Sequence, residues 1–409
     1  MSNQTISAVV EASAAEFSRA LVIDRVEYRA LRECVRTALE ILEIAVGTVR
    51  ADPKLQAMAV ANYPHGDKFA AFIDDPVEAI GRFDAFVDTD GVLRFLEYNP
   101  GICGGAFNSY RAAQVFLESE PGRRLARTAR LEATPTPDLY VEAVREGCRE
   151  AIGRDALTVA LIFAGEPEAP SREMAAFAAG LGLRGGECVS VSVEDVTRRD
   201  GALWFGDRRI DAAFVMNWAD MNWAGNPLIA PLTQTWMANT LGAAVFRGGK
   251  HLYAVMSDPS LGAPLDAAQR AWVDKHIPWT RMLPTGAATD PAAKALRTLV
   301  LERQKDLIIK PSLGRGGKGI VAGWAVSEAA WREAVDSPTA DSCLVQERVF
   351  PRLEAPFDDS PPDQLVFADL CMFIWGNRRP EGIVSRASRG WLLNVSAGEA
   401  KAVPVLIRD

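Results

Sequence analysis

The residues whose types and spacing most directly imply chemistry are Arg82 and Asp84, in Arg82-Phe83-Asp84, and Glu97 and Asn99, in Glu97-Tyr98-Asn99. Between the two strings lies Asp90-Gly91 with apolar runs on either side, a pattern that favours a two-residue type I′ hairpin turn. With Asp90 and Gly91 in the turn, Thr89 pairs with Val92, Asp84 falls opposite Glu97 and Arg82 falls opposite Asn99. Period-two alternation then points all four side chains to one face. Facing carboxylates repel, so the arrangement calls for a cation. Mg2+ suits two carboxylates and an amide oxygen, because it takes hard oxygen ligands and combines one or two carboxylates with substrate phosphates. Arg82 beside it could bind a phosphate or a developing negative charge. The same residues could also form a solvated hairpin face closed by an Arg82–Asp84 ion pair, and a one-residue slip of register would separate them. Pro100-Gly101-Ile102-Cys103-Gly104-Gly105 follows at once; it reads either as a plain turn or as backbone that a ligand can approach closely.

A second group is Lys310-Pro311-Ser312-Leu313-Gly314-Arg315-Gly316-Gly317-Lys318-Gly319. Gly314, Gly316 and Gly319 spell G-x-G-x-x-G, but an expected strand, 320–324, follows instead of the helix that a dinucleotide fingerprint needs. A Walker loop is excluded because Lys318 precedes glycine, not Ser or Thr. A glycine loop between two strands suits a flap whose N–H groups cradle phosphates. A flexible surface hairpin is the alternative, and the flanking Lys310 and Lys318 count against it. Protein kinases use such a loop, but H-R-D and D-F-G are both absent.

The rest of the composition narrows the chemistry. His65, His251 and His276 are dispersed, with no H-E-x-x-H and no G-x-S-x-G. The six cysteines form no C-x-x-C, which suits reduced thiols in a cytoplasmic protein. Lys and Arg number 45 against 53 Asp and Glu, a net charge of −8, which argues against nucleic-acid and anionic-membrane partners. No apolar run approaches the roughly 20 residues that span a bilayer, and Met1-Ser2-Asn3-Gln4 lacks a basic leader region. At about 150 residues per domain, 409 residues predict two or three domains.

Several elements must position these groups. Helical spacing of Leu31, Val35, Leu39, Leu42 and Ile44 predicts a helix over 27–50. The hairpin strands are expected at 82–87 and 92–98, a helical Arg-rich stretch at 110–131 and a linker at 133–137. Strands at 157–164, 188–193 and 212–216, with a helix at 172–182, predict an open α/β unit with a parallel sheet ending near Asp258-Pro259. Further on, strands are expected at 307–310, 319–326 and 344–349, and a helix over 327–335 with Ser327 as N-cap. Residues 352–364 read as a polar loop, and three strands close the chain with turns at Gly376-Asn377 and Arg389-Gly390.

Together these pieces resemble the ATP-grasp superfamily, in its circularly permuted branch of glutathionylspermidine-synthase-like ligases. Lys310-Pro311-Ser312 through Gly319 resembles the phosphate-binding lysine and glycine loop, including Gly314, Gly316, Gly317 and Lys318. Gln346-Glu347-Arg348-Val349 is similar to the adenine-binding strand, and Gly249-Lys250-His251-Leu252 through Ser257-Asp258-Pro259 to the segment with a second nucleotide lysine, where the family usually has Asn in place of Gly249. Arg82-x-Asp84 with Glu97-x-Asn99 is similar to the transition-state arginine and Mg2+ ligands. Asp369, Arg386 and Asn394 resemble late-strand residues, of which the last two line the family's nucleotide site; Asp369 reads equally as an ordinary strand-start acid. The Mg2+ motif precedes the glycine loop by more than 200 residues, as in the permuted branch.

The resemblance implies a mixed α/β (α+β) fold: residues 1–135 and 261–409 forming the ATP-grasp unit around an inserted Rossmann-like, pre-ATP-grasp domain at 136–260. It implies ATP and two Mg2+ ions, held by Asp84, Glu97 and Asn99, with Lys250 and Lys310 on the phosphates. It also implies transfer of a phosphoryl group to a small-molecule carboxylate and displacement by an amine. A carrier-protein thiol as acceptor, a non-catalytic nucleotide-binding role and a homodimer remain open. Asn217-Trp218 and Asn222-Trp223-Ala224-Gly225-Asn226 read as a substrate pocket or as packing tryptophans; Arg123, Arg124, Arg127 and Arg130 read as a solvated helix face.

Overall fold

Val35, Leu39, Leu42, Val46 and Val49 recur at helical spacing and form the buried stripe of helix Arg25–Ala51. The structure, a computed structural model, describes residues 19–409 except 62–65, 74–77, 169–170, 222–225, 230–231, 285–289, 315–316, 338–342, 355–365, 377, 391–392 and 394–399. It is a mixed α/β fold of several sheets.

The helix lies against a large antiparallel sheet. Its strands run Leu353–Glu354, Val366–Ala368, Arg379–Ser388, Cys371–Trp375, Ile80–Val87 and Leu93–Pro100, with Lys401–Val403 also on Arg379–Ser388. Phe83, Phe95, Tyr98, Met372, Ile374 and Ile383 pack toward the helix. Alternation sends Ile80, Cys371, Phe373, Trp375 and Val384 to the opposite face, against Tyr140 and Val144 of helix Thr136–Ile152. Arg82, Asp84, Asp369 and Arg386 are in phase with that second face.

The hairpin reaches its expected pairing by an unexpected route. Asp84 does oppose Glu97, and Arg82 opposes Asn99. The turn, however, takes three residues: Asp88 N–H donates to Val92 O at 2.9 Å, Gly91 N–H to Asp88 O at 3.0 Å, and Val87 pairs with Leu93. That shifts the register by one residue. Leu96, an extra residue on the second strand, shifts it back between Ala85 and Asp84. The bulge also explains why Phe95 and Tyr98, three apart, face the same helix.

A smaller antiparallel sheet runs Thr280–Met282, Cys343–Glu347, Leu307–Pro311 and Val321–Ala322. Leu307, Ile309 and Val345 bury one face beneath Val300, Trp331 and Val335 of helices Pro291–Glu302 and Glu328–Asp336. Ser327 caps the latter by accepting from Ala330 N–H. Ile308, Lys310 and Gln346 therefore point the other way.

The parallel sheet has the order Trp236–Met237, Ala212–Val215, Thr158–Phe163, Glu187–Ser192. Helices Thr136–Ile152 and Arg172–Gly182 cover one face, through Tyr140, Phe177 and Leu181. The other face departs from the Rossmann-like expectation. An antiparallel meander, Val196–Arg199, Ala202–Phe205, Arg208–Ile210, covers it through Val196, Leu203 and Ile210.

Other differences have local causes. The expected helix at 110–131 is two, Ala106–Glu118 and Glu120–Ala126, because Ser119 caps the second and Pro121 starts it. The expected linker at 133–137 is anchored: Thr136 is buried, starts a helix and donates to Ala106 O at 2.6 Å. The expected strand at 319–326 keeps only Val321–Ala322, because the chain turns into a 3₁₀ segment at Gly323–Ala325. Leu241, Leu252 and Met256 pack with helix Arg25–Ala51, whereas Trp236 and Ala238 pack with the parallel sheet, so the change of core falls before Asp258-Pro259. The expected loop at 352–364 lies largely outside the described residues, and where three strands are expected at the chain end the described residues form five: Val366–Ala368, Cys371–Trp375, Arg379–Ser388, Lys401–Val403 and Val405–Arg408. Among the described residues no helix is long and apolar enough to cross a membrane.

The hairpin turn gives a direct test. Gly91 has φ +77° and open space around an added Cβ, so a side chain there meets only backbone strain. Gly91→Ala should cost about 1 kcal/mol and Gly91→Asn clearly less, read as shifts of the urea midpoint. Equal stability of all three proteins would contradict the left-handed turn.

Candidate functional site

The two antiparallel sheets face each other across a cleft of about 160 Å³. Asp84, Glu97, Asp369 and Arg386 line it from the large sheet, and Ile308, Lys310 and Gln346 from the small one. Phe86, Leu96, Ile320, Val349, Phe367 and Leu393 make the remaining wall largely apolar. The cleft therefore has the two characters that a nucleotide needs, an apolar slot and a charged end.

At the charged end Asp84 is clasped by two guanidiniums. Arg82 donates Nε to Oδ1 at 2.6 Å and Nη2 to Oδ2 at 2.8 Å, and Arg386 donates Nη2 to Oδ2 at 2.9 Å. Arg82 also donates Nη1 to the carbonyl of Gly104, so the glycine turn after the hairpin serves to orient it. Arg386 in turn holds Asp369, with Nε on Oδ2 at 2.6 Å and its backbone N–H on Oδ1 at 2.5 Å. Burial alone would raise the Asp84 carboxyl, but Arg82 and then Arg386 outweigh it and hold it well below the ordinary carboxylate range.

Glu97 carries a different cation. Lys250 Nζ lies 3.1 Å from its Oε2 and donates to Gly314 O at 2.9 Å. Burial would raise Glu97, yet Lys250 brings it below its ordinary value. Asn99 Nδ2 sits 3.5 Å from Glu97 Oε1. Across the cleft Lys310 donates to Gln346 Oε1 at 2.7 Å, and Gln346 Nε2 donates to Thr280 Oγ1 at 3.1 Å. Burial pulls Lys310 down to about 8; Glu97 opposes that shift and Lys250 adds to it.

Lys250 is placed by its neighbours. A π-helical turn, Ala243–Arg247, leads into Gly248 and Gly249. A Cβ on Gly248 would stand 2.7 Å from Pro100 Cδ, and one on Gly249 2.6 Å from Val245 O. Gly248 thus lets the chain pass close beneath the hairpin end, while the crowding at Gly249 comes from Val245 and His251. Lys250 N–H then donates to Ser312 O at 2.8 Å, and His251 Nδ1 lies 3.1 Å from Ser312 Oγ. Ser312 thus ties the root of the glycine loop to the second lysine.

The structure brings Arg82, Asp84, Glu97, Asn99, Lys250, Lys310, Ser312, Gln346 and Arg386 into one region. Glu347 and Val349 line the cleft, and Glu347 also accepts from Arg303 at 2.8 Å. Gly314, Gly317 and Lys318 lie on the loop, Gly314 and Lys318 exposed. Gly316 and Asn394 lie outside the described residues, as do Asn222-Trp223-Ala224-Gly225. Trp218 Nε1 donates to Asn239 O at 2.9 Å, and Asn226 Oδ1 accepts from Leu228 N–H at 2.9 Å, so both make local structure. Arg123, Arg124, Arg127 and Arg130 are exposed.

Trp324 and Phe367 also line the cleft without a signal in the sequence, and Arg348, quoted only as part of the Gln346-Glu347-Arg348-Val349 string, lines it too. The Arg348 guanidinium lies 4.3 Å from the Trp324 ring centroid and 4.5 Å from that of Phe350. The only available signal was its position beside Glu347. Among the described residues no three His, Cys, Asp or Glu side chains are grouped to hold a metal. The donor set that fits a divalent cation is two facing carboxylates plus the Asn99 amide oxygen, all hard oxygens of the kind Mg2+ takes.

The class of this molecule is thus set by its fold: a mixed α/β chain with two antiparallel sheets across a charged cleft. It shares that fold with a glutathione synthetase-like effector from Globodera pallida in its apo form, with a TM-score of 0.57, 11% identity, and coverage of 94% of this chain and 88% of that one. A provisionally named gamma-glutamylcysteine synthetase from Methylobacillus flagellatus KT aligns with a TM-score of 0.44, 13% identity and 88% coverage of each chain. No protein-family model matches the sequence, and no curated protein matches it.

The loop root is titratable. Burial lowers His251 to about 3, while the unfolded chain takes up that proton near pH 6.5. The stability that neutral His251 contributes is therefore complete above pH 6.5 and is lost as pH falls toward 3, by about 1.4 kcal/mol per pH unit. Urea midpoints between pH 7 and 4.5 should fall more steeply for the wild type than for His251→Gln. Parallel curves would acquit His251.

Proposed function

We propose that this chain is an ATP-dependent, ADP-forming ligase that activates a small-molecule carboxylate as an acyl phosphate and couples it to an amine. The observation that carries the reading is the cleft itself: facing carboxylates, two lysines at the foot of a glycine loop, and an apolar slot, drawn from segments more than 200 residues apart. The shared fold with a protein named glutathione synthetase-like supports it. In architecture we read a circularly permuted ATP-grasp unit, with residues 1–135 and 261–409 around a domain at 136–260. The large sheet, which takes strands from both ends of the chain, supports joining those two ends in one unit.

Each residue then has a task. Asp84, Glu97 and Asn99 would hold Mg2+, two ions in the active complex, which would supply charge neutralisation between phosphates. Lys310 and Lys250 hold the α and β phosphates. Gln346 fixes Lys310, and the backbone of Gln346, Glu347 and Val349 borders the adenine slot. Gly314, Gly316, Gly317 and Lys318 fold over the phosphates, Ser312 anchors that flap, and the closed loop keeps water from the acyl phosphate. Arg82 stabilises the negative charge on the carbonyl oxygen when the amine attacks. Arg386 and Asn394 complete the nucleotide wall. The setting is cytoplasmic.

Phosphate release from ATP, measured with pools of carboxylates and amines, tests this. Glu97→Gln and Lys310→Met should each lower turnover at least about 100-fold with an unchanged far-UV spectrum. Full activity in Glu97→Gln would remove it from the metal set; failure of the wild type to bind ATP at all would sink the proposal.

A further inference from the structure

Both hairpin carboxylates already carry a cation, and each of those cations has a second anchor. Arg386 Nη2 is 2.9 Å from Asp84 Oδ2 and 2.6 Å from Asp369 Oδ2. Lys250 Nζ is 3.1 Å from Glu97 Oε2 and 2.9 Å from Gly314 O. The second anchor keeps each cation within reach of the cleft, so that it can turn from its carboxylate to an incoming phosphate. Arg82 is different. Its side chain is 9% exposed, it grips both oxygens of Asp84, and its remaining arm is on Gly104. Arg386 is 21% exposed and lines the cleft.

Resting on the nucleotide-site reading above, we propose that Arg386 and Lys250 are resident counter-cations of Asp84 and Glu97, released only by exchange, so that the site takes up a divalent cation and a nucleotide together and neither alone. A divalent cation arriving alone must push a guanidinium and an ammonium off their carboxylates inside a buried cleft, where displaced charge is costly. A nucleotide arriving alone brings its phosphates beside two carboxylates, where like charges repel strongly at reduced dielectric. When both arrive, Arg386 and Lys250 turn to the phosphates while Asp84 and Glu97 take the cation, and every charge keeps a partner.

Mn2+ is a suitable probe, since its free form is counted directly by electron paramagnetic resonance. The full-length protein is titrated with Mn2+ alone and with Mn2+ plus the non-hydrolysable analogue AMP-PNP, and the Mn2+ held by AMP-PNP itself is subtracted from a protein-free titration. The affinity for Mn2+ should rise at least about 100-fold with AMP-PNP present, a coupling that must appear reciprocally in AMP-PNP affinity. Arg386→Gln and Lys250→Met should each raise the affinity for Mn2+ alone by about tenfold and shrink the gain from AMP-PNP. Arg386→Gln strips Asp369 of its partner; if that variant does not fold, Lys250→Met decides the matter. Equal Mn2+ affinity with and without AMP-PNP in the wild type overturns the proposal, as does unchanged Mn2+-alone affinity in the folded variants. Tight AMP-PNP binding without any divalent cation overturns it too. Absence of AMP-PNP binding under every condition instead strikes the nucleotide reading, and the Mn2+-alone comparison still judges the counter-cation roles.

Discussion

Two carboxylates held face to face on adjacent strands are the constraint around which this molecule is arranged. Asp84 and Glu97 are fixed by backbone pairing, so their repulsion cannot be relieved by moving apart. It has to be balanced by cations brought to them. Arg82 from the same strand, Arg386 from a strand on the far side of Cys371–Trp375, and Lys250 from the turn after a π-helical segment pair with them directly, and Lys310 adds its charge from across the cleft. Buried charge without a partner is costly, so these segments are held to the site by energetics as well as by any reaction.

The sheets make that delivery precise. One face of the large sheet is committed to helix Arg25–Ala51, and alternation puts Arg82, Asp84, Asp369 and Arg386 in one patch on the other, beside the part that packs against helix Thr136–Ile152. The small sheet works the same way, with Ile309 and Val345 buried under helices and Lys310 and Gln346 turned to the cleft. Each sheet thus faces the other with its polar phase, and the glycine loop grows from the strand that carries Lys310. Gly248 lets the Lys250 segment pass closely under the hairpin end. At 11% identity the fold is shared with a distant structure, as expected when hydrophobic phase and chain order specify the architecture and individual core residues vary.

Local chemistry was legible in the residues themselves. Helix Arg25–Ala51, helix Arg172–Gly182, the Ser327 cap and the parallel strand Thr158–Phe163 follow from apolar period and capping preference. The hairpin is more instructive. The facing of Asp84 and Glu97 was reached through a two-residue turn, whereas the chain uses a three-residue turn and a compensating bulge at Leu96. Burial of Phe95 and Tyr98 on the helix side enforces the final register, and no turn signal carries that information.

The sequence by itself determined which chemistry was present: oxygen donors at period two, lysines beside glycines, and few histidines. It determined these because spacing along a strand or loop is set within a few residues. The Arg82–Asp84 pair was within reach of strand spacing, but only the tertiary structure brought Arg386 to Asp84 and Lys250 to Glu97. Asp84 and Arg386 are 302 residues apart in the chain, and Arg348 came to stand over Trp324 through the folding of a different sheet. It likewise decided that a β-meander, not helices, covers the second face of the parallel sheet. Such pairings depend on how separately built layers are stacked to bury their apolar faces, a global minimum that local propensity does not encode.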